Sequence, residues 1–121
     1  MQLIVSSGVK WELVILSGEI TSADIGELEE LLQRFLTVGH YNVIVDLTRV
    51  TYIGSAGLAL LISYTNAFRR WERGNLHLAA LSPAVSNLLA VTGLVTEEGS
   101  HFSIYPTVDA AKQAAQKRAS Q

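Results

Sequence analysis

The sequence predicts an α/β fold with a mostly parallel central sheet, in the order β-β-α-β-α-β-α-β-α, and with an N-terminal hairpin at one edge. Residues 43–45 form a continuous β-branched run, which is typical of a strand covered on both faces. Helical periodicity then alternates with strand-like runs along the chain. Because such an alternation requires crossover connections, neighbouring strands are expected to run parallel. We expect one domain over residues 1–121.

Composition limits the class of protein. The 121 residues are 49% hydrophobic and 17% charged, which favours a folded domain with a real core over a disordered chain. The net charge of -2 provides no electrostatic reason to expect nucleic acid or an anionic membrane as the main partner. Cysteine is absent, and no apolar run approaches the ~20 residues of a membrane span. We therefore expect a cytoplasmic protein without disulfides or thiolate-bound metal.

The first two predicted strands form an antiparallel hairpin. Residues 2–6 and 11–16 have strand-like composition, and Ser7 with Gly8 between them is a turn signal. Gly18 is expected to end the second strand.

The first predicted helix follows this hairpin. Asp24 and Glu27 have capping-box spacing, and Gly39 is a suitable residue to end the helix. The predicted buried stripe consists of Ile25, Leu28, Leu31, Leu32 and Phe35.

The central strand is expected to end at Asp46, and a short loop then leads to a helix that opens at Ser55. The apolar spacing in that helix is helical, and it is carried by Leu58, Leu61, Ile62, Thr65 and Phe68. A serine at this place is most often a helix N-cap, which is worth about 1 kcal/mol. It also lies beside unpaired backbone N–H groups at the positive end of the helix dipole.

The remaining elements follow from turn and capping signals. The Ser55 helix is expected to end near residues 73–74, and residues 76–81 to form a strand. Ser82 and Pro83 are typical of a helix start, and Gly93 of its end. Residues 99–100 are predicted as a loop and residues 102–105 as a strand, while Thr107 is expected to cap the last helix.

Residues 43–58 resemble the STAS domain, as found in bacterial anti-sigma factor antagonists. The family pattern has an apolar strand, Asp-Leu-Ser/Thr, an aromatic or apolar pair, and then Asp-Ser-Ser/Thr-Gly-Leu/Met. The resemblance implies that Ser55 is the serine phosphorylated by a partner kinase. Gly54 replaces the family acid before the serine, and Ala56 replaces the Ser or Thr after it. Thr21 similarly replaces the acid of a family Gly-x-Leu-Asp motif.

By that resemblance, the protein binds an anti-sigma factor that is also a serine kinase of the histidine-kinase-like ATPase type. Binding frees a sigma factor, phosphorylation of Ser55 releases the antagonist, and a phosphatase resets it. No cofactor is expected. The expected partner surface consists of Thr21, Gly54, Ser55, Ala56, Gly57 and Leu58, with Leu60 and Tyr64 as outer members.

Leu60, Tyr64, Ala67 and Trp71 extend the apolar arc of the Ser55 helix to about half its circumference. Two interpretations follow. Neighbouring helices bury the surplus, or Tyr64 and Trp71 belong to an exposed patch for a protein partner.

The sequence also permits two alternative functions. Gly54 and Thr21 favour a STAS scaffold that is never phosphorylated, such as a subunit of a stress-signalling assembly or an accessory domain of an anion or lipid transporter. An enzyme is less favoured, because the sequence has no nucleotide-binding motif and no esterase elbow around Ser55.

Two kinds of polar residue receive a structural interpretation. Asp46 is expected to bond loop N–H groups and not to accept a phosphoryl group. The histidines, His40, His77 and His101, lack metal-ligand spacing and are expected at the surface or at strand edges.

Overall fold

The computed structural model describes residues 1–8, 10–40, 42–70, 74–92, 95–96, 99–100 and 102–119. The strands are β1 (Gln2–Ser7), β2 (Glu12–Ile20), β3 (Asn42–Ile53), β4 (Asn75–Ala79), β5 (Val95–Thr96), β6 (Gly99–Ser100) and β7 (Ser103–Tyr105). The helices are α1 (Ile25–Val38), α2 (Ser55–Arg69), α3 (Pro83–Val91) and α4 (Val108–Ala119). A single 3-10 turn, Ser22–Asp24, precedes α1.

The main sheet has five strands in the order β1-β2-β3-β4-β7. β1 is antiparallel to β2, and all the other neighbours are parallel. This arrangement confirms the predicted mostly parallel α/β fold with a hairpin at its edge.

The central strand β3 is covered on both faces, as its β-branched run predicts. Val43 and Val45 pack in the larger core, together with residues of α1, α2 and α3. Ile44 points to the opposite face and packs with Ala111 and Ala115 of α4. Three helices therefore cover one face of the sheet and α4 covers the other.

β2 and β3 are longer than predicted. β2 passes through Gly18, which has a φ of 85°, with register irregularities on either side, and ends at Ile20. β3 runs past Asp46 to Ile53. Since β4 ends at Ala79, opposite Asp46, the last part of β3 pairs with β2 and with no other strand among the described residues.

The sequence of this last part of β3 lacks strand periodicity. Its buried residues are Leu47, Val50 and Ile53, at every third position, because the pairing with β2 is irregular. The predicted loop between residues 46 and 55 was therefore wrong.

The turn before α1 differs from the predicted capping box. The carboxylate of Asp24 reaches back to Thr21 and not forward into α1, accepting from the Thr21 N–H at 2.8 Å and from the Thr21 hydroxyl at 3.1 Å. The hydrogen bond from the Thr21 backbone lowers the pKa of the Asp24 carboxyl. The pairing of Asp24 with Glu27 was wrong, whereas Gly39 ends α1 in the left-handed conformation, as predicted.

Helix caps in the second half agree with the sequence. The Ser82 hydroxyl accepts from the Val85 N–H at 3.3 Å, and Pro83 is the first residue of α3. The Thr107 hydroxyl accepts from the Ala110 N–H at 3.1 Å. Gly93, the predicted end of α3, lies outside the described residues.

Two predicted boundaries were wrong. α2 ends at Arg69, several residues before the predicted 73–74. Residues 99–100 form β6 and not a loop, because they pair with β5 in a small antiparallel ribbon.

His77 is buried, contrary to the prediction. It lies on β4, which is an interior strand between β3 and β7. Its Nε2 is 3.4 Å from Asn42 Oδ1, and its ring centroid is 5.6 Å from that of Tyr105. His40 is exposed, as predicted, with Nδ1 2.8 Å from Glu12 Oε1. His101 lies outside the described residues.

Candidate functional site

Ser55 lies at the carboxyl end of the sheet, where β3 turns directly into α2. β2 ends beside it, because Ile20 and Ile53 are parallel partners and the Gly54 N–H donates to the Ile20 carbonyl at 3.0 Å. The next residue after β2 is Thr21. The structure therefore brings the Thr21 and Ser55 segments together, although they are far apart in sequence.

Ser55 is the first residue of α2 and not its N-cap. The cap is Gly54, whose backbone is extended and whose carbonyl accepts the first helical bond from the Leu58 N–H at 3.1 Å. In the part of the chain that the structure describes, the Ser55 hydroxyl has no hydrogen-bond partner, and its side chain is exposed. The N-cap interpretation of Ser55 was therefore wrong.

The electrostatic environment of Ser55 favours negative charge. The first backbone N–H groups of a helix have no partner within the helix, and the helix dipole is positive at this end. The first turn of α2 contains no acidic residue. A phosphate on Ser55 would be stabilised by these groups.

Gly57 and Leu58 are buried in the contact between α2 and the sheet. A Cβ placed on Gly57 would lie 2.8 Å from Ile53 Cγ1 and 3.3 Å from Ile20 Cγ2. Glycine is needed here because the helix approaches the strand ends closely. Neither residue is presented to a partner, so both leave the predicted partner surface.

Leu60 and Tyr64 are also buried, each with 8% of its surface exposed. The Tyr64 hydroxyl donates to Gln33 Oε1 of α1 at 3.2 Å, and its ring lies beside that of Phe68. Burial raises the pKa of Tyr64. The exposed-patch interpretation was wrong for these two residues, because α1 packs against this side of α2. Trp71 lies outside the described residues.

Tyr52 belongs to this site and was missing from the sequence-based set. Its side chain is 53% exposed. A Cβ placed on Gly54 would lie 3.7 Å from the Tyr52 hydroxyl, which is expected because the Gly54 backbone is extended and residues two apart along extended backbone share one face. We call the solvent-accessible set around Ser55 the serine surface; it consists of the exposed Thr21, Tyr52, Ser55 and Ala56 and the half-buried Gly54.

Other polar groups near the strand ends have structural roles. Asp46 Oδ1 accepts from the Thr48 N–H at 3.0 Å and from the Thr48 hydroxyl at 2.6 Å, which confirms its expected role in bonding local backbone. Among the described residues, no group of three or more His, Asp or Glu side chains could hold a metal ion. Those residues likewise contain no helix that is long and apolar enough to cross a bilayer.

Comparison with known proteins agrees with this fold. A model of the STAS domain matches residues 3–111. BtrV of Bordetella bronchiseptica, provisionally named an anti-sigma factor antagonist, is 30% identical over 103 residues, which cover 85% of this chain and 82% of BtrV. The crystal structure of an anti-sigma factor antagonist from Mycobacterium paratuberculosis has a TM-score of 0.76 at 26% identity, covering 95% of this chain and 93% of that one.

A third comparison concerns the fold alone. The Bacillus cell fate determinant SpoIIAA, solved in its phosphorylated form, has a TM-score of 0.71 at 15% identity, covering 93% of this chain and 97% of that one. The extent of the family match and the similarity to BtrV assign the protein: this chain belongs to the STAS domain family, among the anti-sigma factor antagonists.

Proposed function

We propose that the serine surface binds an anti-sigma factor that is also a serine kinase of the histidine-kinase-like ATPase type, and that phosphorylation of Ser55 ends this binding. The observation that carries the proposal is the exposed Ser55 hydroxyl, which begins α2 without a capping bond among the described residues. A kinase can reach such a hydroxyl without unfolding the helix. Family membership supports the partner class.

The physical basis of the switch is a change of charge on a small surface. Gly54 and Ala56 on either side of Ser55 permit a partner to approach closely. A phosphate adds nearly two negative charges and considerable bulk at the centre of that contact. The fold tolerates the phosphate because the helix N-terminus stabilises it, so binding is lost while the domain stays folded.

The test is intact mass after incubation with ATP and the anti-sigma kinase from the same genome, for the wild type and for Ser55→Ala. We expect the wild type to gain one phosphate and Ser55→Ala to gain none. Phosphate on Ser55→Ala would place the modification elsewhere. Stable complex formation without any phosphate gain would contradict the switch and favour the unphosphorylated scaffold.

Gly54→Asp is expected to speed phosphorylation of Ser55, because it supplies the acid that the family pattern has before the serine. The site has room, since the nearest atoms to a Cβ on Gly54 are 3.7 Å away. Asp replaces Gly as N-cap, so stability should rise by only about 0.3 kcal/mol. The measurement is the initial phosphorylation rate at saturating kinase and ATP, because a side chain at residue 54 also contacts the Tyr52 ring and changes the affinity for the kinase. The control is Asn66→Asp, which adds the same charge about three turns further along α2. An equal rate for all three proteins would show that the acid at residue 54 has no role.

The second candidate is a STAS scaffold without phosphorylation, in a signalling assembly or beside a transporter. The observation that favours it is the absence of acids at residues 21 and 54, together with the engagement of the Thr21 hydroxyl by Asp24. Under either function we propose a cytoplasmic, non-catalytic protein. If Ser55 is phosphorylated, as the first function requires, a phosphatase restores the unphosphorylated protein.

A further inference from the structure

We propose that Tyr52 is the aromatic anchor of the serine surface, and that its ring enters an apolar cleft of the anti-sigma factor next to Ser55. This inference rests on the proposed function and adds the residue that supplies most of the apolar contact. It follows from the length of β3, the shape of the surface at Gly54, and the burial of the other apolar residues nearby.

The exposure of Tyr52 is a consequence of the sheet topology. β4 ends opposite Asp46, so no strand in the described part of the chain lies beside Tyr52 on that side. The parallel neighbour of Tyr52 in β2 is the exposed Glu19. The adjacent Ile53 is buried and holds the strand end against the core. Tyr52 therefore projects from a fixed strand end, so its backbone needs no ordering when a partner binds.

Gly54 leaves the ring of Tyr52 uncovered on the side towards Ser55. A Cβ on Gly54 would lie 3.7 Å from the Tyr52 hydroxyl and 3.8 Å from its Cε1, so any side chain at residue 54 would contact the ring. With glycine there, no side chain at residue 54 separates the ring from the start of α2. We therefore infer that a partner bound over Ser55 also contacts Tyr52.

Among the residues that the structure describes, Tyr52 is the large apolar side chain that is exposed at this site. The sequence-based partner surface contained three other large apolar residues. All of them are buried: Leu58, Leu60 and Tyr64. Among the described residues, the other exposed large apolar side chains lie on the edge strand or near the ends of α1 and α3, and they are Ile4, Val5, Val38 and Val91. The Tyr52 ring is therefore the part of the serine surface that can bury a large apolar area against a partner.

The chemistry of tyrosine specifies the partner's side of the contact. Tyrosine is enriched among the residues that dominate binding energy, because its ring is large and rigid and its hydroxyl remains satisfied at the rim. The matching site is an apolar cleft with a hydrogen-bond acceptor or water at its mouth. A phosphate on Ser55 would lie beside this cleft and lose hydration there, which links the anchor to the switch.

The experiment measures the affinity of the unphosphorylated protein for the anti-sigma factor by calorimetry, for the wild type, Tyr52→Ala, Tyr52→Phe and Val91→Ala. We expect Tyr52→Ala to weaken binding about tenfold or more, and Tyr52→Phe to stay within about threefold of the wild type. Val91 is 85% exposed and lies on α3, so Val91→Ala should bind as the wild type does. Melting temperatures of all four should agree closely, because both residues are exposed.

The outcomes separate the anchor from the proposed function. Wild-type affinity for Tyr52→Ala, in a complex that Ser55→Glu still disrupts, would overturn the anchor and leave the switch intact. A large loss for Tyr52→Phe would also overturn it, by assigning the effect to the hydroxyl and not to the ring. Absence of any complex with the wild-type protein would overturn the proposed function and the anchor together.

Discussion

Ser55→Glu is expected to weaken binding to the anti-sigma factor about 100-fold or more, which corresponds to about 2.7 kcal/mol. The substitution places a permanent negative charge at the first position of α2, between Gly54 and Ala56. A partner that packs closely here must bury that carboxylate without a countercharge, and burying an unpaired charge is costly. Calorimetry or surface plasmon resonance with the unphosphorylated proteins measures the loss.

The stability of Ser55→Glu should not fall. A carboxylate in the first turn interacts favourably with the helix dipole, by about 0.3–1 kcal/mol. Two controls test whether the loss of binding comes from negative charge at residue 55. Ser55→Ala should bind about as tightly as the wild type. Ser63→Glu introduces the same change at an exposed position further along α2 and should have little effect. Comparable losses for Ser55→Glu and Ser63→Glu would indicate a general charge effect and contradict a specific switch at Ser55.

Tyr64→Ala is expected to lower the free energy of unfolding by about 3 kcal/mol, in the range found for truncating a buried aromatic side chain. The ring lies beside that of Phe68, and its hydroxyl bonds Gln33 of α1, so truncation leaves a cavity between α1 and α2. For a domain of this size the melting temperature should fall by about 10 °C. Thermal and chemical denaturation give both quantities.

Tyr64→Phe is the matched control, because it keeps the ring and removes only the bond to Gln33. Its cost should be about 1 kcal/mol. A wild-type melting temperature for Tyr64→Ala, combined with weaker partner binding, would show that Tyr64 is exposed in solution and would restore the patch beside Ser55 that the structure contradicts.

Local sequence was sufficient to predict several strands and helix starts of this protein. The β-branched residues 43–45 predicted a strand covered on both faces, and Ser82 with Pro83 predicted the start of α3. These features depend on side-chain shape and on bonds within a few residues, so they can be recognised without the rest of the molecule. The pattern around Ser55 likewise identified the family and the start of α2.

Contacts between distant segments determine which residues belong to the serine surface. Tyr52 was not identified, because residues 47–53 bury every third side chain and have the period of neither a strand nor a helix. That pattern arises from irregular pairing with β2 and from the end of β4, which are properties of other segments. The sequence left open whether neighbouring helices bury Tyr64 or leave it exposed, and the packing of α1 against α2 decided for burial.

The sequence by itself thus determined the fold class, the family and the position of Ser55, because these rest on periodicity, turn chemistry and motif. Only the tertiary structure decided that Gly54 and not Ser55 caps α2, that Gly57 and Leu58 are packing residues, and that Tyr52 is exposed beside the serine. The physical reason is that burial is set by which segments meet in space, and local sequence does not encode where a neighbouring strand ends.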